Sequence, residues 1–394
     1  MNRSIPTLPV DVAIVGGGIA GLWLLARLRQ RRYGAILIEN DQLGAGQTLC
    51  AQGIIHGGVK YSLSGQWSES TSILAGMPAL WRRCLTGEGE VDLRAARLLA
   101  DHQYLWATRA PTSRLAAFFA SKLMNGRMAK AAGDVPGVLR HPRFQGVVYR
   151  LDEPIVDVAS VLNALVERHR DAIVLNQGPV TAKADGTLTL RRADGPTRAL
   201  RPTCVVFATG AGNGALPWAA LQLRPLHMVM ARGSALPGLL YGHCLGASDV
   251  PRLTVTSHYD AHGRLIWYLG GGLAESGVER DRREQIRAAR RELETLLPWV
   301  DWSRVEFATF TVQRAEGQQP GAIRPAEPNI CRDGHVLAVW PTKLALAPLL
   351  AERIENLART LGARPRPLDL RTLADWPRPD IAVLPWDRRD LEWS

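Results

Sequence analysis

Residues 11–39 read DVAIVGGGIAGLWLLARLRQRRYGAILIE, and this stretch constrains the fold more than any other. The apolar run 12–15 has the character of a parallel strand buried on both faces. Gly16, Gly18 and Gly21 follow at GxGxxG spacing, and an apolar helical stretch, 19–28, begins inside the motif. A second apolar run, 35–38, ends at Glu39. Gly16 permits the tight turn off the strand, Gly18 lets backbone N–H groups approach a pyrophosphate, and Gly21 lets the helix lie close to the sheet. The pyrophosphate belongs at the positive helix N-terminus, and Glu39 is placed to accept hydrogen bonds from a ribose diol. Three glycines alone would be a weak signal. The strand before them, the helix through them and the acid after the next strand make the βαβ nucleotide-binding reading specific.

The remaining 300-odd residues of the 394 leave room for one large or two intimate domains with ample core. An apolar fraction of 46% with 22% charged residues is that of a globular protein. No uninterrupted apolar stretch reaches about 18 residues, so no transmembrane helix is expected. The N-terminal apolar segment runs straight into the nucleotide strand and is read as fold rather than leader. Cys50, Cys84, Cys204, Cys244 and Cys331 are scattered, odd in number and without CxxC spacing. They are expected as reduced thiols in a cytoplasmic protein, with no metal site and no disulfide frame. The net charge is +11, yet only five of the 48 basic residues are lysine and the arginines are spread along the chain. Compositional bias explains that better than a nucleic-acid face, and no DNA binding is expected.

Further along, the segment 40–61 is dominated by glycines and small residues, so its backbone passes close to something flat or charged. Helical patterns cover 67–85 and 113–128, and Asp157 is a credible N-cap for a helix over 158–168. A short strand covers 172–175, and a hairpin over 183–190 turns at Asp185-Gly186. A buried strand, 205–207, runs into Ala208-Thr209-Gly210. Gly210, Gly212 and Gly214 do not repeat the GxGxxG motif, so one dinucleotide site is expected. The electrons should then come from the substrate itself rather than from a bound nicotinamide. Residues 222–316 read as strands with one helix, about 280–297. Thr254, Thr256 and His258 share one strand face, and 306, 308, 310, 312 and 314 share another that ends at Arg314. The last 32 residues, rich in Pro, Arg and Trp, read as an irregular strap over the surface, with docking as a lesser possibility.

The segment Gln47-Thr48, Gln52-Gly53 and IIHGGVKY (54–61), with the later ATG at 208–210, resembles the D-amino-acid oxidase superfamily of FAD-dependent oxidoreductases. Glycine oxidase, sarcosine oxidase, L-2-hydroxyglutarate oxidase and glycerol-3-phosphate dehydrogenase belong to it. The resemblance spans about residues 10–360. It implies an α/β fold: a Rossmann-like FAD-binding domain of the glutathione-reductase type, with a second α+β substrate domain built on a mixed β-sheet. It further implies non-covalently bound FAD, with Gln47, Thr48, Gln52, Gly53 and His56 along the pyrophosphate and flavin ring. By the same resemblance, the Val180 backbone contacts the adenine and Thr209 and Gly210 lie near the phosphates. The order of signals implies a discontinuous FAD domain, 1–85, 151–221 and 317–362. Residues 86–150 and 222–316 then form the substrate domain and 363–394 the strap.

A flavin takes two electrons as a hydride, so the protein must orient a C–H bond and stabilise charge. The helix start near Thr342 offers a positive dipole to the reduced ring, and Lys343 at that terminus is read either as relieved by an anion between the two or as a solvated lysine. Many amine oxidases of the family have glycine where Lys343 stands and Arg-Pro where Arg314-Ala315 stands. The lysine brings the chain nearer the glycerol-3-phosphate dehydrogenase pattern. Arg314 stands where the family's carboxylate-binding arginine lies, and is otherwise a structural partner for an acid such as Glu316. His258 is read either as a base at the ring face or as a core histidine. His56 is read as backbone packing along the flavin rather than a covalent attachment point. The leading expectation is an oxidase or dehydrogenase of a small anionic molecule, oxidised at a CH–NH or CH–OH carbon next to an acid group, with oxygen or a quinone as acceptor. Alternatives are a flavoenzyme acting on tRNA and an electron-passing flavoprotein in a complex. A monomer is the default.

Overall fold

The computed structural model describes residues 7–58, 74–108, 128–131, 133–180, 183, 186–193, 195, 197–246, 250–322 and 324–394. Most of the helical pattern at 113–128, the first part of that at 67–85, the end of IIHGGVKY and the Asp185 turn lie outside these residues.

The strand Thr7–Val15 is the centre of a seven-stranded sheet. Over residues 12–15 alternate side chains serve two cores: Val12 and Ile14 one layer, Ala13 and Val15 the other, which Val10 also joins. This two-sided burial is why the run is apolar without alternation. It pairs in parallel with Ala35–Glu39 on one side and Arg198–Phe207 on the other. Ile173–Leu175 extends the sheet beyond Ala35–Glu39, and Val336–Trp340 and Asn329–Asp333 extend it beyond Arg198–Phe207. Leu188–Leu190 pairs antiparallel with Arg198–Leu200.

The helix Ile19–Gln30 covers one face, packed between Val158–His169 and Ala347–Thr360. Gly21 permits its approach, since a Cβ there would lie 2.0 Å from the Gly16 carbonyl oxygen. Arg27, on the same helix, is buried and bonded to Glu90 and Glu355, which answers the cost of desolvating its charge. Asp157 caps the helix Val158–His169 by accepting from the Ser160 N–H at 3.0 Å.

Among the described residues a second, eight-stranded sheet runs Glu306–Gly317, Leu221–Arg232, Leu265–Gly270, Leu253–Tyr259, Gly242–Cys244, Gln103–Ala107, Val147–Leu151 and Met128–Lys130. All its pairings are antiparallel except Gly242–Cys244 with Gln103–Ala107, so the sheet is mixed. The amphipathic helix Arg282–Leu296, closed at its start by an Asp281–Glu284 capping box, buries Ile286, Ala289, Leu293 and Leu296 against it.

The C-terminal segment is irregular, as its composition suggests, but it does more than lie over the surface. Leu373 and Trp376 enter the core of the nucleotide sheet, and Trp386 enters that of the mixed sheet. Ala382 N–H donates to Leu43 O, and Ser394 exchanges two backbone hydrogen bonds with Phe307. The apolar bulk of the tryptophans explains the difference: side chains of this size gain more from burial than from covering a polar surface. No helix among the described residues is long and apolar enough to cross a membrane.

Candidate active site

A cavity of about 1390 Å³ opens at the carboxyl ends of the nucleotide strands and continues to the mixed sheet. One end is built by the βαβ unit. The helix Ile19–Gln30 points its N-terminus there and carries no acid in its first turn, so its dipole is not met by its own side chains. Thr48 Oγ1 accepts from the Ile19 N–H at 3.1 Å, tying the following loop to that terminus. Glu39 accepts from the backbone N–H groups of Gly17, Asn40 and Asp41 at 2.6, 2.8 and 3.1 Å, which fixes its carboxylate at the strand end.

The loop after Glu39 joins the two sheets. Gln47 Nε2 donates to Ala315 O at 3.5 Å, and Gln52 Nε2 donates to Tyr268 O at 3.0 Å. Gly53 has φ +74°, and a Cβ there would sit 2.1 Å from Val156 O, so glycine alone suits this crossing. Thr209, Gly210, Val180 and His56 complete this side of the lining.

Among the described residues the lining also carries four cations. Arg224 and Arg314 are cross-strand partners, and with Arg324 and Lys343 they line the cavity. Arg314 Nε donates to Arg224 O at 3.2 Å, and its guanidinium lies 3.6 Å from Glu275. Glu316 is engaged by Arg224 at 3.3 Å and by Gln222, so the partner envisaged for Arg314 belongs to its neighbour. Burial, then the fields of Arg324 and Arg224, holds the Arg314 pKa below its ordinary value. Lys343 is buried and precedes the turn Leu344–Leu346 that leads into the helix Ala347–Thr360. Its Nζ lies 3.5 Å from Ala326 O. Beside it Thr342 has φ +65°, a strained setting for a β-branched residue, held by its hydroxyl donating to Glu327 O at 2.9 Å.

Of the residues singled out from sequence, Gly16, Gly18, Glu39, Gln47, Thr48, Gln52, Gly53, His56, Val180, Thr209, Gly210, Arg314, Thr342 and Lys343 all line this one cavity. Gly21 lies behind it, at the helix–strand contact. His258 is absent from the lining, which corrects the placement of a base at the ring face. Its ring stacks on Trp386 at 4.3 Å, Nε2 meets Thr256 Oγ1 at 3.0 Å, and burial lowers its pKa to about 4. The strand face it shares with Thr254 runs from cavity to core within four residues. Arg224, Arg324 and His243 line the cavity without having been singled out. For Arg224 the signal was its place on a strand face followed by Leu226 and Met228, which line the same wall.

The sequence profile described as "FAD dependent oxidoreductase" matches residues 11–372. The chain is 44% identical over 388 residues, 96% of its length and 98% of the relative's, to a probable FAD-dependent oxidoreductase, PA4991, of Pseudomonas aeruginosa. The crystal structure of that protein superposes with a TM-score of 0.80 at 40% identity, covering 96% of this chain and 98% of the other. Glycine oxidase from Geobacillus kaustophilus shares the fold, with a TM-score of 0.61 at 16% identity over 93% and 98% of the two chains.

Proposed function

The chain belongs to the FAD-dependent oxidoreductase family, and from that premise we propose that it oxidises a small anionic substrate at a CH–OH or CH–NH carbon next to an acid group. The residues fit FAD. The cavity exceeds the roughly 300–1,000 Å³ of an ordinary small-ligand pocket. Its nucleotide end offers a helix N-terminus without an acid in its first turn for a pyrophosphate and the Glu39 carboxylate for a ribose. When bound, FAD supplies the two-electron acceptor.

The observation that carries the substrate reading is the grouping of Arg224 and Arg324 around Arg314, with Lys343 lining the same cavity. Glu316 and Glu275 answer Arg224 and Arg314 in part, and a bound carboxylate or phosphate adds to that neutralisation. A guanidinium fork such as Arg314 orients that anion through two parallel hydrogen bonds. Lys343 adds a cation to the dipole of the turn and helix behind it, which stabilises negative charge developing in front of it. Glycine oxidase, a structural neighbour, is named for an amino acid, which keeps amino acids among the candidates.

The test is anaerobic bleaching of the holoenzyme's flavin absorbance by amino acids, N-methyl amino acids, 2-hydroxy acids and polyol phosphates. One acid-bearing class should bleach it, and neutral analogues should not. Bleaching by neutral analogues as readily as by acids, or by nothing in the panel, would contradict the proposal.

A further inference from the structure

Oxidising a hydroxyl or amine moves a proton as well as a hydride, and the structure provides a group for it. Ile54 and Ile155 form an isolated bridge, Val156 N–H donates to Gly53 O at 2.9 Å, and Ile55 N–H donates to Pro154 O at 2.9 Å. These contacts hold His56 against Glu153. The Glu153 carboxylate is 2% exposed and accepts from the Gly57 N–H at 2.7 Å and from Gln103. His56 Nδ1 lies 3.2 Å from its Oε2, while His56 itself lines the cavity. Where that carboxylate is ionised it only accepts, so the hydrogen of this contact then sits on Nδ1.

The other titratable groups of the lining suit the task less. Glu39 is held at the nucleotide end, Asp41 and Asp333 are exposed, Glu275 is paired with Arg314, and burial pushes the Cys50 thiol up to about 11. Among the described residues, Glu153 and His243 face the His56 ring. The His243 ring is stacked 5.6 Å away at 19°, with its Nδ1 2.8 Å from Thr254 Oγ1.

We infer that His56 is the proton acceptor of the oxidation and that Glu153 is the positioning residue that fixes its tautomer and orientation. This rests on the substrate reading above. The substrate's O–H or N–H bond breaks and its proton goes to Nε2. The electron pair of the C–H bond goes to FAD as hydride, leaving C=O or C=N. The Glu153 carboxylate meets the ring edge at Nδ1, and the His243 ring stacks on its face.

The experiment has two arms on the holoenzyme. In the first, anaerobic flavin reduction by the most active panel compound is followed against pH. His56→Ala and His56→Gln should retain FAD and slow reduction by about 10²–10⁴-fold, and added imidazole should partly restore His56→Ala. Glu153→Gln should shift the acid limb of the profile to lower pH by about one unit or more, because the carboxylate no longer favours the imidazolium. An unchanged rate and profile in FAD-retaining variants, or slow reduction that imidazole leaves untouched, would overturn the inference. In the second arm, ¹⁵N-histidine NMR, assigned by loss of signal in His56→Gln, reads the tautomer without any substrate. An Nδ1–H signal that responds to Glu153→Gln supports the dyad, and an Nε2–H signal or no response overturns it. If no panel compound bleaches the flavin, the substrate reading fails and the second arm still decides the dyad.

Discussion

Arg314 and Lys343 line the same cavity, and their effects should separate. Arg314→Ala should weaken substrate binding by about 2–5 kcal/mol, the scale for losing one partner of a buried charged pair, with the flavin spectrum little changed. Unchanged binding of every active compound would make Arg314 a structural partner of Glu275. Lys343→Met should retain FAD and lower the flavin potential, measured by dye equilibration, because a cation that stabilises the reduced form is removed. An unchanged potential would mean the lysine points elsewhere. His258 gives a prediction for stability. Its folded pKa of about 4 lies below the roughly 6.5 of an unfolded histidine, so the unfolded chain takes up the proton first as pH falls. Its contribution is full above about pH 6.5 and is lost towards pH 4, by about 3 kcal/mol in total. Urea unfolding at pH 7 and 5 should show a smaller loss for His258→Phe than for the native chain. Sequence placed Arg314 by its position at the end of a buried strand face. Arg324 was hidden because one arginine among so many carries no signal; Arg224 stands on a readable strand face, but only strand pairing sets it opposite Arg314. His258 misled because strand periodicity gives a face without saying where along it the cavity ends.

At the scale of elements, the βαβ unit was legible because each of its parts has one local cause: a glycine turn, an uncharged helix start, an acid at a strand end. The segment from Gly53 to His56 was legible only as a close approach, since what it approaches, residues 153–156, arrives a hundred residues later. Gly53→Ala is therefore a test of that crossing. The positive φ and the contact with Val156 O leave no room for a methyl group, and adjustment would move His56 away from Glu153. The variant should lose FAD on gel filtration and unfold at lower temperature than the native protein. Full FAD retention with an unchanged Tm would show that the crossing tolerates displacement.

For the whole molecule, we propose the discontinuous division in which an FAD domain of residues 1–85, 151–221 and 317–362 encloses a substrate domain of 86–150 and 222–316. The strand memberships of the two sheets support it. The C-terminal segment joins the two: Trp376 is buried in one core and Trp386 in the other. Its composition gave no periodic signal, so this role was invisible before its contacts were. Deleting residues 363–394 should leave a chain that is aggregated or free of FAD, and a soluble, yellow truncation would reduce the segment to a surface strap. The central claim is that an anion held by the arginine wall lies beside the flavin. Its most direct test is titration of the oxidised holoenzyme with acetate, a 2-carbon carboxylate without an oxidisable alcohol or amine, and with inorganic phosphate at constant ionic strength, following flavin absorbance. A saturable spectral shift with at least one of them, weakened at least tenfold in Arg314→Ala, is the predicted result. A spectrum indifferent to both anions, or an equal shift in the variant, would contradict it.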